Sequence, residues 1–199
     1  MFDLKTSIAV IASILAFVGN ISYLKDVFAK RVEPHPYTWF IWSIVSMTTF
    51  FGALQKGAGI GVLPTGIAEA FTIIIFVISF RNLFRGGIAH IRTIDHYFLA
   101  AAILGLIPWI LTKDPTISVV IVVCVDLVAF VPTLRKTWQK PDTEKPMLYG
   151  MNVTRHILTL FSIQTYNIAT MFHSIAMIVT NTLMVLFIKR NRVSSQVSE

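Results

Sequence analysis

Charge is what this sequence has least of. Asp, Glu, Lys and Arg make up 14% of its 199 residues, where a soluble domain carries about 25%. Too few charges are present to build a water-facing surface, which excludes a soluble globular enzyme and a disordered chain alike. Cysteine is nearly missing as well. The single Cys124 lies in an apolar run, so no intrachain disulfide, cysteine zinc site or iron–sulfur cluster is expected. The five histidines show no i,i+4 ligand pair, and neither a metal nor a cofactor is expected. No nucleophile–base motif or glycine-rich phosphate loop occurs, and the loops are too short for a catalytic domain. An enzyme is therefore not expected.

What is present is apolar and organised. Hydrophobic residues make 55% of the chain and the mean hydropathy is +0.70, the composition of an integral membrane protein. The formal charge is +7. In a soluble protein that would raise nucleic-acid binding, but here the bases flank apolar stretches, so the expected partner is the lipid bilayer. Charged residues delimit spans of the roughly 20 residues needed to cross it. They are Thr6–Leu24, Tyr37–Gln55, a stretch between Lys56 and Arg81 containing Glu69, His96–Thr112, and a stretch between Asp114 and Arg135 containing Asp126. Between Lys145 and Lys189 there is room for two more, turning at Ser162, Gln164, Thr165 and Asn167 and interrupted by Arg155. The reading is an all-α protein of seven transmembrane helices. The first segment lacks a small-residue cleavage site and is expected to be a retained helix.

The basic residues test that count. Connections 1–2, 3–4, 5–6 and the C-terminal segment carry thirteen Lys and Arg, including Arg85 and Arg192; the other side has only Lys5, Lys56 and Lys113. Positive residues collect in cytoplasmic loops, which predicts an outside N-terminus and a cytoplasmic C-terminus. A shift of 110 residues then lays helices 1–3 over helices 5–7. It pairs Thr6 with Thr116, Leu24 with Leu134, Lys30 with Lys140 and Pro36 with Pro146. Both copies would share one orientation, a parallel repeat. The expected division is residues 1–93 as a first three-helix repeat, 94–113 as a linker helix, and 114–199 as a second repeat with a short basic tail.

The segment Asp126-Leu-Val-Ala-Phe-Val-Pro132-Thr133-Leu134-Arg135-Lys136-Thr-Trp138-Gln-Lys140-Pro-Asp-Thr143-Glu144 resembles the signature of the PQ-loop/SWEET-like (MtN3/saliva) superfamily of membrane transporters. In that family a helix ends in Pro-Gln, followed by aliphatic, basic and aromatic residues and a Lys-Ser-Thr-Glu-like turn. Thr133 stands where the family has Gln, and the first copy reads Ser22-Tyr23 in place of Pro-Gln. The resemblance implies a 3+1+3 plan and transport of a small polar solute by alternating access between two three-helix bundles. A sugar, an amino acid and a vitamin-like compound all fit that implication.

Ionisable groups inside a bilayer are costly and usually face a cavity or a partner. Three are left after the count: Glu69, Asp126 and Arg155. Asp126 lies about 14 Å and Arg155 roughly 12 Å from the respective helix ends, so both fall near the midplane. An Asp126–Arg155 pair on adjacent helices is geometrically possible. It would serve either proton-coupled transport through Asp126 or static packing. Glu69 follows Gly-Ile-Ala and could instead face small residues on a neighbour. Asn20 and Asn181 are amides in apolar surroundings; the resemblance implies that a helix-7 asparagine such as Asn181 contacts substrate, against a plain interhelical hydrogen bond. Trp42 could stack on a flat ligand or pack in the core. His156 and His173 are secondary proton-path candidates, and Pro132 is read as the hinge that ends helix 5. The expected function is a solute transporter in a cell membrane, multi-pass and bacterial inner membrane by its short loops. The alternative is a non-transporting receptor, sensor or assembly factor of the same fold. A homo-oligomer stays open.

Overall fold

Apolar runs of the lengths above fold as helices, and their ends are set by local chemistry. The computed structural model describes residues 3–84 and 91–197, side chains at 101–102, 105–110, 141 and 191–197 excepted. Arg85 and the side chain of Arg192, counted among the loop cations, lie outside that description. The elements are α1 (Leu4–Phe28), α2 (Pro36–Gln55), α3 (Leu63–Phe84), α4 (Thr93–Thr112), α5 (Pro115–Gln139), α6 (Pro146–Ser162) and α7 (Ile168–Val197). Short 3₁₀ turns, Gly59–Val62 and Pro141–Thr143, precede α3 and α6, and neither was foreseen. The described residues contain no strand. The chain is all-helical, and five helices (α1, α2, α3, α5 and α7) are long and apolar enough to cross a membrane.

Asp3 caps α1 by accepting from the Thr6 N–H at 2.9 Å, and Asp114 caps α5 by accepting from Thr116 and Ile117 at 2.8 and 2.9 Å. Pro36, Pro115 and Pro146 occupy first helical positions, where a missing N–H costs nothing. The turn between α6 and α7 falls at 163–167, on the polar group that marked it in the sequence. Pro132 does not end α5. The helix runs through it to Gln139, and the neighbouring helix braces that turn: Thr38 of α2 donates to the Ala129 carbonyl at 2.9 Å, and Thr133 donates to Thr38 at 3.0 Å. Neighbouring helices and their hydroxyls let a proline sit inside a packed helix.

The helices pack in a doubled pattern. α3 lies between α1 and α2, and α7 lies between α5 and α6. Across the middle α1 packs on α6 and α2 on α5, while α4 packs on α5 and touches α2. Adding 110 to the bounds of α1 and α2 gives 114–138 and 146–165, beside the observed 115–139 and 146–162. One expectation fails here. Consecutive helices α5 and α6 are not packed side by side, because α7 intervenes.

The molecule is apolar outside and polar within. Ile11, Ile14 and Phe17 of α1, Val77 of α3, and Val179, Leu183 and Leu186 of α7 are exposed, while Asn20, Glu69, Asp126, Arg155 and Asn181 are buried. Contiguous exposed apolar surface is unusual for a protein in water. α1 turns small residues inward at Ala9, Ala12, Ala16 and Gly19. A Cβ on Gly19 would come 3.3 Å from Met151 Cβ, so α1 and α6 meet at close range, as helices in lipid do through small residues.

Candidate functional site

Between the two sets of three helices lies a cavity of about 70 Å³. One water needs about 10–15 Å³, so the space takes several waters. A sugar-sized solute would need the helices to part. Six helices supply its lining, and α4 supplies no described side chain. α1–α3 contribute an uncharged wall that includes Asn20, Trp39, Trp42, Ser46, Thr65 and Thr72. α5–α7 contribute every ionisable group: Asp126, Tyr149, Arg155, His156 and His173, with Asn152 and Asn181 beside them. Seven of the residues singled out in the sequence therefore meet at one cavity: Asn20, Trp42, Asp126, Arg155, His156, His173 and Asn181.

Glu69 stands apart. Thr65, Ala68 and Thr72 of its helix line the cavity, but Glu69 does not. Its two carboxyl oxygens are buried without a hydrogen-bond partner, and Ser46 is the polar side chain nearest to acting on it.

The expected ion pair is not formed. Arg155 donates from Nε to Asn152 Oδ1 at 3.3 Å and from Nη2 to His156 Nε2 at 2.6 Å, and its Nη1 has no partner. Asp126 is 2% exposed and Oδ1 has no partner; the indole of Trp42, itself unbonded at Nε1, faces this carboxyl. The physical reason is the intervening helix: α7 holds α5 and α6 apart, and Arg155 turns to its own helix. A guanidinium only donates. His156 Nε2 must therefore accept, which puts its proton on Nδ1, facing Ser174 Oγ at 3.2 Å. The His173 ring stands 5.4 Å away, edge to face.

Neither asparagine makes an interhelical bond. Asn20 Nδ2 donates to Ala16 O at 2.7 Å and Asn181 Nδ2 to Met177 O at 2.8 Å. Both amides thus keep a carbonyl oxygen uncommitted at the cavity wall. Trp42 is a rung in an aromatic ladder. Tyr23 stacks on Trp39 at 5.5 Å, Trp39 meets Trp42 at 5.1 Å, and Trp42 stacks on Phe130 at 5.8 Å.

Both ends of the cavity are tied. At the end carrying the α1–α2 and α5–α6 connections, the Glu144 carboxylate accepts from Lys136 Nζ at 2.7 Å and from the Tyr23 and Tyr149 hydroxyls at 3.1 Å each. Lys136 also donates to the Glu33 carbonyl. All four side chains are buried. Sequence reasoning counted Lys136 among the loop cations and quoted Glu144 only as the close of the signature-like turn, since nothing in the spacing announces burial. Beside this cluster Arg135 donates to Asp95 at 3.1 and 2.5 Å, with His35 Nε2 at 3.5 Å from the same carboxylate. At the opposite end Lys5 donates to Ile163 O at 2.6 Å, Gln164 N–H to Ala58 O at 3.3 Å and Asn167 to Lys56 O at 3.2 Å. Gly61 permits this closure, because a Cβ there would come 2.9 Å from Ile163 Cα.

Among the described residues no cluster of metal-ligating side chains occurs. No family model, curated protein or solved structure matches the chain.

Proposed function

We propose that this chain is a seven-span membrane transporter of a small polar solute. One observation carries the reading. A polar cavity gathers side chains from six helices, inside a bundle whose outer surface is apolar. A buried polar cavity at the junction of two similar three-helix units is what alternating access requires. The exchange of contacts, α1 with α6 and α2 with α5, supports the parallel 3+1+3 repeat and the PQ-loop/SWEET-like resemblance. α6, at 17 residues, is about 25 Å long, and α4 has 20 residues; both lengths are compatible with crossing. The basic connections support a cytoplasmic position for the Glu144 end. In this reading Asp126 carries the coupled proton, and the solute and the proton compete for its carboxylate.

Reconstituted protein challenged with pooled sugars, amino acids and vitamins should give a solute-dependent pH change inside the vesicles. The Asp126→Asn variant should insert and lose it. Normal transport with unchanged pH dependence in that variant would end the coupling proposal. A non-transporting receptor, sensor or assembly factor is favoured by one observation, the ties at both ends of the bundle. No movement of any solute, by proton flux or by tracer, would make that the leading reading.

A further inference from the structure

The cavity holds one carboxylate and one guanidinium that do not meet. Asp126 and Arg155 are 2% and 5% exposed, each with a polar atom lacking a partner, and no ion pair joins them. A lone charge in a low-dielectric interior is expensive, and the expense is relieved by a partner of opposite sign. Here the partners are kept apart by α7, which packs between α5 and α6. Its His173, Met177 and Asn181 line the space they share. Neither helix can swing its charge onto the other without displacing that lining.

We infer that the solute is a small zwitterion, its ammonium taken by Asp126 and its carboxylate by Arg155. The inference rests on reading this cavity as the solute's site. Arg155 is already oriented for the task. Nε and Nη2 are held by Asn152 and His156, so the unbonded Nη1 is the donor left for an incoming anion, and charge-assisted bonds of this kind are the strong ones. An ammonium at Asp126 has three donors to place. The carboxylate and the uncommitted carbonyl oxygen of Asn181, which lines the same pocket beside Asp126 and Trp42, are acceptors for it. A neutral polyol satisfies the hydroxyl and amide wall equally well, but it leaves both charges without a counter-charge. An amine or a carboxylic acid alone relieves one of them.

The measurement is equilibrium binding to the full-length protein in lipid nanodiscs. The zwitterionic probes are glycine, β-alanine, γ-aminobutyrate and δ-aminovalerate, which step the charge separation outward. Butylamine and butyrate present one charge, and glucose presents none. At least one zwitterion should bind about tenfold or more tightly than either single-charge probe and glucose, a gap of about 1.4 kcal/mol. Asp126→Asn should shift the preference toward butyrate, and Arg155→Gln toward butylamine, which a simple loss of folding does not produce. Glucose binding as tightly as every zwitterion, or no zwitterion binding at millimolar concentration, overturns the inference. So does an unchanged rank order in both variants once thermal unfolding shows them folded. Zwitterion binding without flux would leave this inference standing and remove the transport reading; flux of glucose without zwitterion binding would do the reverse.

Discussion

His35 carries a pH dependence that can be isolated at the scale of one residue. It sits just before α2, 1% exposed, and burial pushes its imidazole down to about 4, with Lys136 and Arg135 adding to the effect against Asp95. It is therefore neutral in the folded protein at pH 7, and Arg135 is the group that neutralises Asp95. In the unfolded chain the same ring titrates near 6.5. Between those values the unfolded state holds a proton that the folded state does not, so stability rises with pH across that window and is lost as pH falls. The full effect is about 3 kcal/mol at most. Thermal unfolding in nanodiscs should show a lower Tm at pH 5 than at pH 7, and His35→Asn should show a smaller drop. Equal drops in the two proteins would remove His35 as the cause. The residues of the cavity were largely legible as residues: an Asp, an Arg and two Asn in apolar runs stand out against their surroundings. Their partners were not, because whether Arg155 meets Asp126 depends on which helix lies between them.

At the scale of elements α5 holds the most consequence. It contains Asp126, passes through Pro132 and ends with Lys136 reaching Glu144 in the turn before α6. Lys136 and Glu144 are both almost fully enclosed. Removing one member of a buried pair strands the other, at a typical cost of about 3–5 kcal/mol, whereas removing both is far milder. Lys136→Met should therefore lower Tm strongly, and adding Glu144→Gln should recover much of the loss. A double variant no better than the single one would mean that the tyrosines, not the ion pair, hold this end together. The continuation of α5 past Pro132 was hidden for a similar reason. Proline predicts a break in an isolated helix, and only the packing of α5 against α2, α4 and α7 carries the helix past it.

At the scale of the whole molecule the two three-helix units touch at both ends, and transport requires one contact to open while the other holds. The α2–α3 connection belongs to one unit and the α6–α7 connection to the other, and their backbones meet where Gln164 N–H donates to Ala58 O at 3.3 Å. With the exposed Cys124 replaced by serine, Ala58→Cys combined with Gln164→Cys should cross-link under oxidation. Uptake of whichever solute the vesicle screen finds should then stop and return on reduction. Full uptake in the cross-linked protein would mean that this end does not open during transport.

The sequence by itself determined the all-helical class, the seven α-helices and the turn between α6 and α7, because hydropathy, charge placement and proline or acidic caps act locally. It also determined which polar residues lie in apolar surroundings. Tertiary structure decided what those residues face. It placed α3 and α7 inside their three-helix units, and so kept Asp126 from Arg155. Lys136 was drawn from a basic connection into a buried pair, and Glu69 was left beside the cavity instead of on it. Each of these depends on distances between helices far apart in the chain, and no local pattern of residues encodes them.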